Sequence, residues 1–380
     1  MRPFALLIKP TGPDCNLACT HCFYTRKAEL FGKGPHRMSK EVIETLIRDY
    51  LALRLPQSSF CWQGGEPTLM GLDFFKRVVK LQQEYGHSGQ VVSDSLQTNG
   101  TLFDDDWCKF LRENNFLVGI SLDGPKDLHD HYRKNTAGQG SFAQVMRAIQ
   151  LCKAHRAEFN VLTLLTDHNV ERADELFAFF VDQKIRYMQF IPCVEKENGR
   201  IASYSITPEQ YGRFLCRLFD LWLSHGPEKI SIRFFDSVMS FIVHGQHTIC
   251  SFRNRCNDYV VVEHNGDVFA CDFFVQEEWR LGNILQTPIG ELATSPAKRR
   301  FSELKTEVKN QCLVCRYFAI CRGGCLKDRI IVNNDCRDKD YFCVGYQMFF
   351  DYALSKLMQK LLNIINPKAR SLSGNLRCCS

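Results

Sequence analysis

"CNLACTHCFY" (residues 15–24) places three cysteines within eight positions, close behind a short apolar run, "FALLIKP" (4–10). The spacing of Cys15, Cys19 and Cys22 is C-x3-C-x2-C. Three thiolates leave one position of a tetrahedral metal, or one corner of a cubane, without a protein ligand. A structural zinc site wants four closed ligands. An iron–sulfur cluster also takes thiolates, and a cluster with one iron free of protein can bind a substrate there. The bland alternative is a local group of buried thiols, but three spaced cysteines at a strand end, followed by an aromatic pair, are hard to obtain by packing alone.

On either side of this stretch the chain alternates strand-like and helix-like patterns. Strands are expected at 4–9, 59–63, 91–97, 116–122, 158–165 and 185–192, with helices near 39–54, 72–84, 104–113, 141–155 and 170–183. Such β/α alternation implies a parallel sheet with crossover helices, and six units imply an α/β partial (β/α)6 barrel. Reactive groups of such barrels sit in the loops after the strands. Those loops hold the glycine-rich and polar words here: the three cysteines, then "QGGEP" (63–67), "SLQTNG" (95–100) and "SLDGP" (121–125).

From about residue 195 the pattern changes. A polar connector, "EKENGRIASYSITPEQ", precedes a helix near 207–224, and cysteine density then rises. "YVVVEHNGDVFAC" (259–271) alternates about an Asn-Gly pair, a strong hairpin signal. The expected organisation is a barrel with connector over 1–230, a cysteine-rich domain over 231–365 and a flexible tail over 366–380, where Cys378 and Cys379 lie.

Composition narrows the function classes. A chain of 380 residues that is 45% hydrophobic can bury a full core. A net charge of +6 without a run of five basic residues offers no nucleic-acid stripe, and no apolar stretch approaches the 18 residues of a membrane span. No signal-peptide layout is present, so a cytoplasmic protein is expected, where 19 cysteines stay free, catalytic or metal-bound.

Eight of those cysteines form a second constellation: Cys250, Cys256, Cys271, Cys312, Cys315, Cys321, Cys325 and Cys343. They suffice for two fully ligated tetrahedral sites, and ligand count alone leaves iron–sulfur clusters and zinc both open. Cys61, Cys108, Cys152, Cys193, Cys216 and Cys336 read as small buried hydrophobes or tolerated surface thiols.

"CNLACTHCFY" followed by "GGEP" resembles the signature of radical S-adenosylmethionine (SAM) enzymes, whose open cluster iron chelates SAM. The cysteine-rich half resembles their SPASM extension, which holds two auxiliary clusters. "LLIKP", "QGGEPTL", "SLQTNGTL", "FLVGISLDGP", "SIRFFD", "CDFF", "WRLGNI" and "CRGGC", in that order, look like the anaerobic sulfatase-maturating enzymes, over nearly the whole chain. Those enzymes oxidise a cysteine or serine of an unfolded sulfatase to Cα-formylglycine.

The resemblance implies three 4Fe-4S clusters and SAM as cofactors. It puts the SAM-binding cluster on Cys15, Cys19 and Cys22, one auxiliary cluster on Cys250, Cys256, Cys271 and Cys325, and the other on Cys312, Cys315, Cys321 and Cys343. His21 occupies the adenine-contacting position, Gly65, Ser121 and Arg133 match SAM contacts, and Val194 lines the adenosine. Asp272, in "CDFF", falls where the subfamily has its proton acceptor. The implied partners are an unfolded sulfatase with a C/S-x-P/A-S-R-like motif and an electron donor such as flavodoxin or ferredoxin, with no nucleic acid or membrane and with the chain a monomer. The other readings are a ribosomal-peptide maturase forming thioether or carbon crosslinks, and a metal-binding scaffold. A scaffold would have no use for a three-ligand site or the GGEP loop.

Overall fold

The computed structural model describes residues 3–365; the expected tail and its Cys378 and Cys379 lie outside the described residues. Six strands carry the barrel: β1 (Ala5–Lys9), β2 (Gln57–Trp62), β3 (Val91–Thr98), β4 (Leu117–Ser121), β5 (Phe159–Leu165) and β6 (Tyr187–Pro192). Each pairs in parallel with the next, in sequence order. Side chains alternate across a strand. Leu6, Ile8, Phe60, Trp62, Leu96, Val118, Ile120 and Val161 are therefore fully buried, whereas Ser59, Cys61, Ser95, Gln97 and Ser121 on the opposite face are only half-buried.

The helices cover the apolar face because their own stripes fit it. In Lys40–Ala52 the buried residues are Val42, Ile43, Leu46, Ile47, Tyr50 and Leu51, at the three-to-four spacing of one helix side, and the Ser39 side chain caps the start by accepting from the Val42 N–H. Asp104 caps Asp105–Glu113 in the same way, and Pro208–His225 begins with a capping box between Thr207 and Gln210. A short helix, Lys126–Tyr132, lies outside the expected set.

A two-stranded ribbon, β7 (Lys196–Glu197) with β8 (Arg200–Ile201), follows β6, and β9 (Ser231–Ile232) pairs with β6 at one sheet edge. The expected Asn-Gly hairpin forms between β10 (Tyr259–Glu263) and β11 (Asp267–Phe269), with β12 (Arg280–Asn283) beyond it. It is not a separate layer: β10 pairs in parallel with β1, register Leu6↔Val260 and Ile8↔Val262, making one ten-stranded sheet. The cysteine-rich half is thereby fastened to the strand that leads into Cys15.

The last helix, Cys343–Ile365, crosses Pro208–His225 at two glycines. A Cβ on Gly345 would stand 2.4 Å from the Pro208 carbonyl oxygen, and one on Gly212 would stand 3.0 Å from the Gly345 Cα. That approach sets where Cys343, at the helix start, meets the loop of Cys312, Cys315 and Cys321. No helix among the described residues is long and apolar enough to cross a membrane.

Candidate functional site: a three-cysteine barrel mouth and two four-cysteine cavities

The loop after β1 is held by the loop after β2. Gly65 N–H donates to the Gly12 carbonyl and Glu66 N–H to that of Asp14, both at 2.8 Å. A Cβ on Gly65 would lie 1.9 Å from the Asp14 carbonyl oxygen, so only glycine lets these two segments touch. The close approach at Gly65 is thus to the chain's own backbone. Glu66 is fully buried, and its carboxylate accepts from Thr68 N–H (3.0 Å), Thr68 Oγ1 (2.5 Å), Thr98 Oγ1 (2.7 Å) and Asn99 N–H (2.7 Å). Burial pushes its carboxyl up while these donors pull the other way. The Asn99 side chain donates to Asn16 Oδ1 at 2.8 Å and points at Cys15 Sγ, 3.7 Å away. Three strand ends therefore position Cys15.

On the other side of the mouth Arg133 grips Asp123 with two bonds, Nε to Oδ2 at 2.6 Å and Nη2 to Oδ1 at 3.1 Å. Asp123 also accepts from the Leu164 N–H at 2.9 Å. Burial alone would raise the Asp123 carboxyl, but the Arg133 guanidinium holds it well below the usual range. Asp123 is absent from the sequence-based set, although its signal, an acid after β4 with an arginine ten residues on, lies in "SLDGP". His21 is buried, with Nε2 3.7 Å from Asp123 Oδ2, too far for a hydrogen bond, and its ring edge-on to Tyr132 at 5.5 Å. Ser121 Oγ accepts from Gln97 at 3.3 Å. Val194 is fully buried after β6, and its carbonyl accepts from Lys327.

The eight remaining cysteines fall into two sets. One cavity is lined by Cys250, Cys256, Cys271 and Cys325. Another is lined by Cys312, Cys315, Cys321 and Cys343. Among the described residues no three His, Cys, Asp or Glu side chains converge as they would on a single ion. A cubane needs a wider set, because each thiolate holds a different iron. Burial pushes the Cys15 and Cys343 thiols up to about 12 and those of Cys19, Cys250 and Cys321 up to about 11. Such thiols do not ionise unaided at neutral pH, whereas a metal deprotonates a coordinating thiol. The donor type and its grouping into three, four and four fit three iron–sulfur clusters.

Asp272 stands between the two halves. Its Oδ1 accepts from Tyr259 O–H at 2.9 Å and lies 3.6 Å from Cys271 Sγ. Next to it, Phe273 packs on Phe23 with ring centroids 4.9 Å apart, and Phe23 follows Cys22 directly. Beneath this contact Lys9 is buried with Nζ 4.4 Å from the centre of the Tyr24 ring, and Tyr24 donates to Glu263 at 2.5 Å. Burial pulls the Lys9 ammonium down, opposed by Asp272 and Glu263. Burial and the Glu263 carboxylate raise the Tyr24 phenol well above its ordinary value. Of the other six cysteines, Cys108, Cys152 and Cys193 are buried and Cys61, Cys216 and Cys336 half-buried.

Comparison with known proteins agrees with this geometry. Residues 10–180 match the Radical SAM superfamily, and residues 250–316 match SPASM, an iron–sulfur cluster-binding domain. The chain is 37% identical to a cysteine-type anaerobic sulfatase-maturating enzyme of Clostridium perfringens, over 96% of this chain and 100% of that one. It is 38% identical to a serine-type enzyme of Bacteroides thetaiotaomicron, over 92% and 89% of the two chains. Its fold superposes on anSMEcpe, solved with bound AdoMet and the Cp18Cys peptide, with a TM-score of 0.89, 37% identity and coverage of 96% and 100%. A likeness that spans both halves at this identity means that the chain belongs to the anaerobic sulfatase-maturating enzymes, radical SAM proteins with a C-terminal SPASM domain.

Proposed function

We propose that this chain oxidises a cysteine or serine in an unfolded sulfatase polypeptide to Cα-formylglycine. In this reading Cys15, Cys19 and Cys22 hold the SAM-binding four-iron cluster. Cys250, Cys256, Cys271 and Cys325 hold one auxiliary cluster, and Cys312, Cys315, Cys321 and Cys343 the other. When bound, these groups supply a 5′-deoxyadenosyl radical that can take the β-hydrogen of the target residue, and an acceptor for the electron left behind.

The chain's own part is binding, orientation and proton transfer. Arg133, fixed by Asp123, keeps one Nη clear of that carboxylate for the carboxylate of SAM. Gly65 and Ser121 border the methionine, and His21 and Val194 the adenosine. Asp272 takes the proton of the target thiol or hydroxyl, with Tyr259 donating to the same carboxylate and holding it in place. A cysteine that loses a β-hydrogen atom, a proton and an electron becomes a thioaldehyde, and water exchanges its sulfur for oxygen to give the aldehyde.

The observation that carries this reading is the Phe23–Phe273 contact, which joins the segment of Cys22 to that of Asp272. A hydrogen-abstracting group and a proton acceptor on either side of one peptide suit oxidation of a single side chain. The partners in this reading are the sulfatase segment and a small electron donor such as flavodoxin or ferredoxin, with the chain acting as a monomer in the reducing cytoplasm. The test is anaerobic incubation of the reconstituted chain with SAM, reductant and a peptide containing C-x-P-S-R. Mass spectra should show loss of the cysteine sulfur and a product that reacts with aldehyde probes. A product that keeps its sulfur, has lost two hydrogens and stays unreactive to aldehyde probes after a thioaldehyde would have hydrolysed would instead mean crosslink formation and would overturn the proposal.

A further inference from the structure

Three buried cations stand beside the two cysteine-lined cavities with no carboxylate of the described residues in ion-pair range. Lys298, 4% exposed, donates to the carbonyls of Tyr259 and Ala270, each at 2.8 Å. Lys305, 1% exposed, donates to the carbonyls of Ser251 and Gly324 at 2.6 Å and of Cys250 at 3.4 Å. Arg329, 0% exposed, donates to the carbonyls of Gly323 (2.7 Å), Arg322 (2.9 Å), Glu307 (3.0 Å), Lys305 (3.1 Å) and Cys336 (3.3 Å). Carbonyl dipoles satisfy the N–H donors but carry no net charge. A buried cation without a counter-charge is destabilising, and arginine cannot shed its proton. Asp258, Asp328 and Asp340 act on these cations only from beyond ion-pair range, so a counter-charge held in the cavities would complete them.

The two cavities differ in the charge facing them. Lys298 and Lys305 both line that of Cys250, Cys256, Cys271 and Cys325. Its one lining carboxylate, Asp258, is taken up by Arg253 at 2.9 Å. Two further acids stand nearby and both are engaged: Asp272, beside Cys271, accepts from Tyr259, and Asp328 pairs with Lys327 at 3.5 Å. The cavity of Cys312, Cys315, Cys321 and Cys343 is lined by Lys339, which is exposed to water, by buried Asp340 and by Gly324, whose carbonyl Lys305 reaches, while Arg329 lines neither cavity and acts on Cys256 and Cys312 alike. A four-iron cluster on four thiolates is an anion that becomes more negative on reduction, and nearby charge and hydrogen bonding set its potential.

We propose that Lys298 and Lys305 are the built-in counter-charges of the auxiliary cluster on Cys250, Cys256, Cys271 and Cys325, and make it easier to reduce than the cluster on Cys312, Cys315, Cys321 and Cys343. This rests on assigning both cavities to auxiliary clusters, as above. Lys298 and Lys305 are positioning and tuning residues rather than catalytic ones, since they act through the cluster.

The test is a reductive titration of the full chain, anaerobically reconstituted and followed by electron paramagnetic resonance. A background with Cys15, Cys19 and Cys22 replaced by Ala removes the third cluster's signal. Lys298→Met and Lys305→Met should each make one cluster harder to reduce by tenfold or more in equilibrium constant, about 59 mV for a one-electron couple. The other cluster should not move in Lys298→Met and should move less than the first in Lys305→Met, because Lys305 also reaches the Gly324 carbonyl in its wall, and Lys298→Arg and Lys305→Arg should stay near the parent. Unmoved potentials with full iron content would overturn the proposal. Loss of iron in the Met variants but not the Arg variants would support it, since charge would then be required for assembly. Loss in both would overturn it in favour of a shape-specific brace. No SAM or peptide enters this titration, so its outcome is independent of whether formylglycine is made.

Discussion

Phe23 and Phe273 meet with ring centroids 4.9 Å apart, and each is the immediate neighbour of a residue with a proposed chemical role, Cys22 on one side and Asp272 on the other. The first belongs to the loop after β1 and the second to the segment after β11. Their contact is where the barrel mouth and the cysteine-rich half share a wall. Lys327 adds a second tie, donating to the Val194 carbonyl and pairing with Glu195 at 3.0 Å while lying 5.5 Å from the centre of the Phe273 ring.

Phe273→Ala should loosen that wall without removing a ligand. The lost aromatic pair is worth about 0.5–1.5 kcal/mol beyond its buried area. Iron content should stay at the parent level, while formylglycine formed per SAM cleaved falls. Chromatography of 5′-deoxyadenosine against mass-spectrometric product measures the ratio; an unchanged ratio would mean that the ring contact does not align the two halves.

Asp272→Asn keeps the size of the side chain and its acceptor for Tyr259 but cannot take up a full proton. Product formation should fall by roughly 10²–10⁴-fold, the usual contribution of a general base, while SAM cleavage continues. Single-turnover assays with the C-x-P-S-R peptide decide this. Full turnover in the variant would remove Asp272 from the mechanism.

Asp123→Asn leaves the Arg133 guanidinium largely buried without its anion. Breaking such a pair from one side costs about 3–5 kcal/mol, readable as a lower denaturant midpoint in SAM-free protein. The folded Asp123 carboxyl is depressed, so its contribution is complete above the ordinary aspartate value of about 3.9 and is lost as pH falls below it. The stability gap between parent and variant should therefore be flat near neutrality and narrow in acid. A gap that widens in acid would contradict the pairing.

Joint replacement of Cys15, Cys19 and Cys22 by Ala should lower iron from about twelve to about eight per chain, the remainder of three four-iron clusters. SAM cleavage should disappear while the absorbance of the other clusters persists. Zinc in the cysteine-rich half of a properly reconstituted sample would refute the iron–sulfur reading there.

The barrel was legible because its signals are local. Strand alternation, helix stripes, caps and the Asn-Gly turn each operate over a few residues, and the expected strands at 4–9, 91–97 and 158–165 lie within a residue of Ala5–Lys9, Val91–Thr98 and Phe159–Leu165. The short helix Lys126–Tyr132 escaped notice because seven residues, two of them histidine, leave too short an apolar stripe. Asp123 escaped because an acid after a strand has many ordinary uses. Its pairing with Arg133 depends on how the intervening helix folds back.

The order of the six barrel strands, the three-cysteine loop, the eight later cysteines and, through ordered motifs, the family can be read from the chain alone. All of these are properties of neighbours along the chain. It took the folded chain to show that β10 joins β1, that Phe23 meets Phe273, and that Lys298 and Lys305 are buried against carbonyls in the wall of a cysteine-lined cavity. These pairs are separated by tens to hundreds of residues. No local preference selects them: they follow from which apolar faces bury one another, and the charges are then carried to wherever that packing leaves them.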